Sequence, residues 1–196
     1  MGAGVFEHET TSQPDVQVRH GHGTGCPKGK VKLQRASLTN VDAQPVLDLI
    51  AAARPSRGIT FVGIGGRGGA GKSTLAARIE GAQIVSTYEF WDGEGFELSR
   101  LRAEVFEPLL AGRAARYAAW GWDARRPGPL RTIEPREVVV VEGVCALHRI
   151  FRDDYDVRVW VEAPYETRLA RGVARDGEAA RRRWVEHWMP MEDRYV

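Results

Sequence analysis

The sequence predicts an α/β fold, an open parallel sheet sandwiched by helices. Three observations predict it. The runs ITFVGI (59–64), EVVVVEG (137–143) and VRVWVEAP (157–164) are apolar and β-branched almost throughout, as strands buried on both faces read. Segments with helical apolar spacing separate them, so the strands should be joined by right-handed crossovers. A glycine-rich turn, GGRGGAGKS, closes the first run and opens the helical segment behind it.

Residues 1–38 read as a flexible, basic, Gly-rich tail. QVRHGHGTGCPKGKVKLQR has no apolar period and too little apolar surface to offset its ordering entropy. GTGCPKGKV there mimics a phosphate loop, but Val31 follows Gly-Lys where Ser or Thr is required, and no apolar strand precedes it. His20, His22 and Cys26 could ligate a metal, yet lack a fourth ligand and a rigid frame.

Residues 39–196 read as one domain. VDAQPVLDLIAAA places Val46, Leu47, Leu49 and Ile50 at helical spacing. After ITFVGI come STLAARIEG as a helix and QIVS as a short strand. LSRLRAEVFEPLLAG is an amphipathic helix stopped by Gly112. EVVVVEG and VRVWVEAP are the next two strands. The segment from Tyr165 onward reads as helix, a break at Asp176-Gly177, and helix.

Composition narrows the function classes. With 43% hydrophobic and 28% charged residues, the chain reads as an ordinary soluble globular protein. A net charge of +2 gives no whole-protein case for nucleic acid. Two distant cysteines, Cys26 and Cys145, fit a reduced cytoplasmic protein. No apolar run reaches the ~20 residues of a membrane span, and charged and polar residues interrupt the start of the sequence where a signal peptide would be apolar.

Gly66-Arg67-Gly68-Gly69-Ala70-Gly71-Lys72-Ser73 fits G-x-x-x-x-G-K-[ST] without mismatch, and Thr74 follows. Glycines let the backbone curl so that successive N–H groups converge on phosphate oxygens. Lys72 can carry a cation to the outer phosphates, and the Ser73 hydroxyl can ligate Mg²⁺. Glu142 ends the VVVV run, where a parallel strand delivers its last side chain to the ligand crevice; it is the second candidate Mg²⁺ ligand. The bland alternatives are an incidental Gly-rich turn and a surface glutamate.

These pieces, with RLARGVARDGE and WMPMEDRYV, resemble the uridine kinase-like branch of the P-loop kinases from about residue 58 to the end. The resemblance implies a P-loop NTPase fold with a helical, Arg-bearing lid. It implies ATP and Mg²⁺ as cofactors, and transfer of the γ-phosphate to a hydroxyl of a small nucleoside-like acceptor. Such kinases have an Asp-x-Phe-Tyr-like motif after the first helix, whose Asp accepts the proton of the attacking hydroxyl. Here the motif reads Ser86-Thr87-Tyr88-Glu89-Phe90-Trp91-Asp92, which puts Tyr88 at the Asp position. Tyrosine is a poor base near neutral pH. Glu89 is the favoured substitute, with Asp92 the other carboxylate and Tyr88 beside the acceptor.

RYAAWGWDARR (116–126) lies where nucleoside kinases line their acceptor pocket, so Tyr117, Trp120, Trp122, Asp123 and Arg126 are candidate acceptor contacts. The alternative is a hairpin that packs its aromatic residues into the core; RRPGPL supports an irregular loop either way. Arg168, Arg171 and Arg175, at steps of three and four, share one helix face and suit a lid over the phosphates. Arg181, Arg182 and Arg183 read as a solvated or partner-binding surface, and Trp184, Trp188 and Met189 as packing residues. Kinases of this branch continue into a last strand that the sequence does not contain, so the sheet should close another way or keep a short open edge. Three functions are compatible: a small-molecule kinase, which is preferred; a nucleotide-binding regulator or degenerate kinase; and, least favoured, a nucleic-acid-associated ATPase using Arg19, Lys28, Lys30, Lys32 and Arg35. A homodimer is left open.

Overall fold

Seven strands make two sheets in the computed structural model, which describes residues 16–18, 43–55 and 58–192. They are β1 (Val16–Val18), β2 (Thr60–Gly66), β3 (Gln83–Ser86), β4 (Ala115–Gly121), β5 (Arg126–Ile133), β6 (Val138–Glu142) and β7 (Val157–Val161). The main sheet has the order β1-β7-β2-β6-β3, and β4 pairs with β5 in a separate hairpin. β2, β3, β6 and β7 are all parallel, as the apolar runs predict.

β1 departs from the sequence reading. It lies within the stretch expected to be tail, yet runs antiparallel along β7, with Gln17 opposite Trp160. It extends the main sheet beyond β7. The remaining tail residues, including His20, His22, Cys26 and the basic run, lie outside the described residues.

Side chains of the central strands alternate between two cores. Phe61, Val139 and Val141 face a layer built on Phe106, Leu109 and Phe151. Val62, Ile64, Val140 and Val159 face the opposite layer, which includes Val46 from α1 (Gln44–Ala52) and Leu75 from α2 (Lys72–Ala76). Helices therefore cover both faces. α2 is shorter than STLAARIEG suggests: turns replace helix after Ala76, and the segment ends at Gly81 with φ 74°.

The helix over 98–110 runs as α3 (Leu98–Leu101), a π-helical turn (Arg102–Phe106) and α4 (Glu107–Leu110), and Gly112 stops it at φ 68°. After β7 come α5 (Tyr165–Asp176), α6 (Arg181–Arg183), a second π-helical turn (Trp184–Trp188) and α7 (Met189–Glu192). Each π-helical turn lies just ahead of a proline, Pro108 or Pro190. A proline has no N–H to donate and its ring crowds the carbonyl four residues back; widening the helix relieves both.

RRPGPL is not an irregular loop. It forms the start of β5, where Pro127 faces Trp120 across a bulged ladder. A two-stranded ribbon tolerates proline because its outer edge needs no donor.

Candidate active site

The phosphate loop leaves β2 at Gly66 and enters α2 at Lys72. Two of its glycines are required sterically. Gly66 has φ 142°, and a Cβ there would lie 2.1 Å from the Val161 carbonyl oxygen. Gly69 has φ 73°, and its Cβ would lie 2.4 Å from the Arg168 carbonyl oxygen. Neither position admits a side chain, because neighbouring backbone rather than a movable group fills the space. The second contact also shows α5 seated directly on the loop.

Lys72 is buried, and its Nζ donates to the Arg67 carbonyl across the loop at 2.9 Å. Burial pulls its pKa below the ordinary lysine value, while Glu142 and then Glu192 oppose that shift. The Ser73 hydroxyl donates to Glu142 Oε2 at 3.2 Å. Glu142 is 4% exposed at the end of β6, so a hydroxyl and a buried carboxylate converge beside the loop. That donor set fits Mg²⁺, which takes one or two protein oxygens and phosphate oxygens.

Arg168, Arg171 and Arg175, expected to serve a lid, share one face of α5, and that face meets the loop. Arg168 is buried and its Nη1 lies 3.4 Å from Glu192 Oε2. Arg171 Nη1 donates to the carbonyls of Gly69 and Ala70, bracing the loop from outside at 3.2 and 3.3 Å. Arg175 forks onto Asp176 at 2.8 and 3.0 Å. The Asp176 carboxylate also accepts from Trp184 Nε1 at 2.9 Å, and Arg175 and then Trp184 hold its pKa below the usual range.

Beside the loop is a cavity of about 470 Å³. Its walls include Tyr88, Trp91, Phe96 and Trp122 on one side and Trp188 and Glu192 on the other. Trp91 and Trp122 stack at 5.9 Å and 29°, and Phe96 meets Tyr88 edge-on at 5.5 Å. Burial pushes the Tyr88 hydroxyl well above its ordinary pKa, so it can donate a hydrogen bond but not remove a proton.

The expected acceptor residues divide. Tyr88 and Trp122 line the cavity. Tyr117 does not: it is 1% exposed, packs on Phe90 at 4.7 Å, and donates its hydroxyl to Glu89 at 2.5 Å. Glu89 is also ion-paired with Arg131, so this carboxylate ties the hairpin to the turn after β3 and is not part of the cavity wall. Asp92 is exposed and accepts from the amides of Glu94 and Gly95, both at 2.8 Å, to fix its own turn. Trp120 is half-buried on β4, and Asp123 and Arg126 are exposed at the hairpin tip; none of the three lines the cavity. The hairpin thus does both things the sequence left open, with Tyr117 in the core and Trp122 at the cavity.

Glu192 was missed. It is 4% exposed, lines the cavity, and accepts from the Gly68 amide at 2.8 Å. A signal for it existed: Trp184, Trp188 and Glu192 follow one another at steps of four, so the stripe read as packing continues into a carboxylate on the same face. Trp184 and Met189 do pack, at 3% and 4% exposure, and Arg181 to Arg183 are exposed as expected.

An open, mostly parallel sheet with a phosphate loop after its central strand and a carboxylate at the end of the neighbouring strand defines an α/β fold of the P-loop type. The chain is similar to uridine kinases of Staphylococcus aureus, among them those of strains JH9 and Newman, at 23% identity over 168 residues, covering 70% of this chain and 81% of theirs. Its fold is similar to a protein from Silicibacter sp. TM1040 described as a fructose transport system kinase, with a TM-score of 0.57 and 20% identity over 79% of this chain and 93% of that one. It is also similar to a protein from Bacillus stearothermophilus described as a uridine kinase, with a TM-score of 0.50 and 15% identity over 76% and 96%. These likenesses agree with the resemblance to uridine kinase-like P-loop kinases. No family model matches the chain. Among the described residues no helix is long and apolar enough to cross a membrane, and no cluster of three or more His, Cys, Asp or Glu could hold a metal.

Proposed function

We propose that the protein is an ATP-dependent phosphotransferase that moves the γ-phosphate to a hydroxyl of a small, ring-bearing, nucleoside-like acceptor in the cytoplasm. The observation that carries this reading is the adjacency of the two halves: the loop from Gly66 to Ser73 opens beside an aromatic cavity of about 470 Å³, and Glu192 touches both. Aromatic walls with few polar groups suit a flat ring, and Trp91 and Trp122 offer faces for stacking.

The loop amides and Lys72 hold the polyphosphate. Ser73 and Glu142 hold Mg²⁺, which would neutralise charge on the outer phosphates. Arg168, against the Glu192 carboxylate, and Arg175, on the cavity wall, bring positive charge near the loop, while Arg171 keeps the loop in shape. Phosphoryl transfer depends mostly on positioning and charge neutralisation, so the lack of a proton acceptor at position 88 need not abolish it.

The test is acceptor-dependent ADP release across a panel of nucleosides and small alcohols, with Lys72→Ala as the control. Transfer should disappear in the variant while its thermal unfolding stays cooperative; full turnover in Lys72→Ala would refute the assignment of the loop.

A degenerate kinase or nucleotide-binding regulator is the second reading. One observation favours it: Tyr88 replaces the expected carboxylate, while Glu89 and Asp92 are both engaged elsewhere. ATP binding without ADP release for any acceptor in the panel would select it.

A further inference from the structure

Glu192 is a buried carboxylate in an unusual place. Its Oε1 accepts from the Gly68 amide at 2.8 Å and its Oε2 lies 3.4 Å from Arg168 Nη1. Lys72 and Arg67 add positive charge, and burial still leaves its pKa above the ordinary value. A loop amide, the loop lysine and a lid arginine are the groups a terminal phosphate would require. A carboxylate offers the same paired, negatively charged oxygens.

The partners of Glu192 indicate which phosphate. The loop amides cradle the inner phosphates of a nucleotide, and the loop lysine reaches the outer ones. Glu192 takes the Gly68 amide on one oxygen, faces Arg168 with the other, feels the charge of Lys72, and lines the cavity. The crowding there is tight, since a Cβ on Gly68 would lie 2.3 Å from Glu192 Oε1.

We propose that Glu192 sets the nucleotide preference of the loop: its carboxylate holds the terminal-phosphate position, so a diphosphate binds with Glu192 in place and a triphosphate binds only by displacing it. The inference rests on the nucleotide-binding reading above. It adds a coupling. Trp188, Met191 and Glu192 all line the cavity, so moving Glu192 off the loop also moves the acceptor wall. Occupation of the terminal-phosphate place and the shape of the acceptor site are then one event.

Calorimetric titration of ATP·Mg²⁺ and ADP·Mg²⁺ into wild type, Glu192→Gln and Glu192→Ala tests this, with thermal melts of all three. The expected result is that ATP binds roughly 10- to 100-fold more tightly to both variants, the worth of one charge-assisted hydrogen bond, while ADP affinity changes less than about threefold. Triphosphate binding that appears only in the variants supports the proposal as well. Unchanged affinities for both nucleotides overturn it. So does an equal gain for both, which would report a general loosening, and so does weaker ATP binding, which would make Glu192 part of the grip. If none of the three folded proteins binds either nucleotide, the nucleotide-binding reading itself fails.

Discussion

Glu89→Ala separates a catalytic carboxylate from a structural one. Glu89 accepts from the Tyr117 hydroxyl and pairs with Arg131. Tyr117 is 1% exposed, so the truncation strands a buried hydroxyl without its acceptor, at a cost of about 1–3 kcal/mol. The Arg131 side chain is 38% exposed, so loss of that pair adds only about 0.2–1 kcal/mol. Together they give about 1–4 kcal/mol, which for a domain of this size lowers Tm by roughly 2–16 °C. Thermal unfolding followed by circular dichroism measures the shift. Tyr117→Phe in the Glu89→Ala background should recover part of it, because no stranded hydroxyl remains. An unchanged Tm together with abolished acceptor-dependent transfer would refute the structural role and return Glu89 to the proton-accepting one.

Further outcomes follow from packing and from burial. In Gly172→Ala the new Cβ would lie 2.4 Å from Trp184 Cε2, so the indole must shift; stability should fall by about 1–3 kcal/mol in urea titration, with red-shifted tryptophan emission, and an unperturbed variant would contradict the packing of α5 on Trp184. Burial pushes the Cys145 thiol up to about 12, so at pH 8 only ~10⁻⁴ of it is thiolate. Mass spectrometry of the Cys145 peptide should therefore find iodoacetamide labelling slow in native protein and fast in denaturant; equal rates would contradict it. The same shift has a stability consequence. The unfolded thiol ionises near 9 while the folded one holds its proton to about 12, so stability should fall as pH rises through that window, less steeply in Cys145→Ala.

The sheet was legible because parallel strands buried on both faces cannot be written any other way: VVVV and ITFV admit no amphipathic helix. The phosphate loop was legible because two of its glycines have backbone where a side chain would be. What the sequence obscured depended on partners distant along the chain. Glu89 looked available until Arg131, 42 residues away, and Tyr117 claimed it. Asp92 looked equally available until it proved to cap its own turn, a local bond that D-G-E-G permits. Glu192 carried no reading of its own, although its spacing from Trp188 put it on the packing face. β1 was hidden because three residues of strand within a basic, glycine-rich stretch carry almost no periodic signal.

The central claim is that the amides from Gly66 to Ser73, with Lys72, enclose the charged tail of a nucleotide. Calorimetry of ATP with Mg²⁺ against wild type and Lys72→Ala tests it most directly. Saturable heat from one site in the wild type, lost or strongly reduced in a variant that still unfolds cooperatively, is the predicted result. Equal binding by both proteins would contradict it, as would folded wild type that binds neither ATP nor ADP.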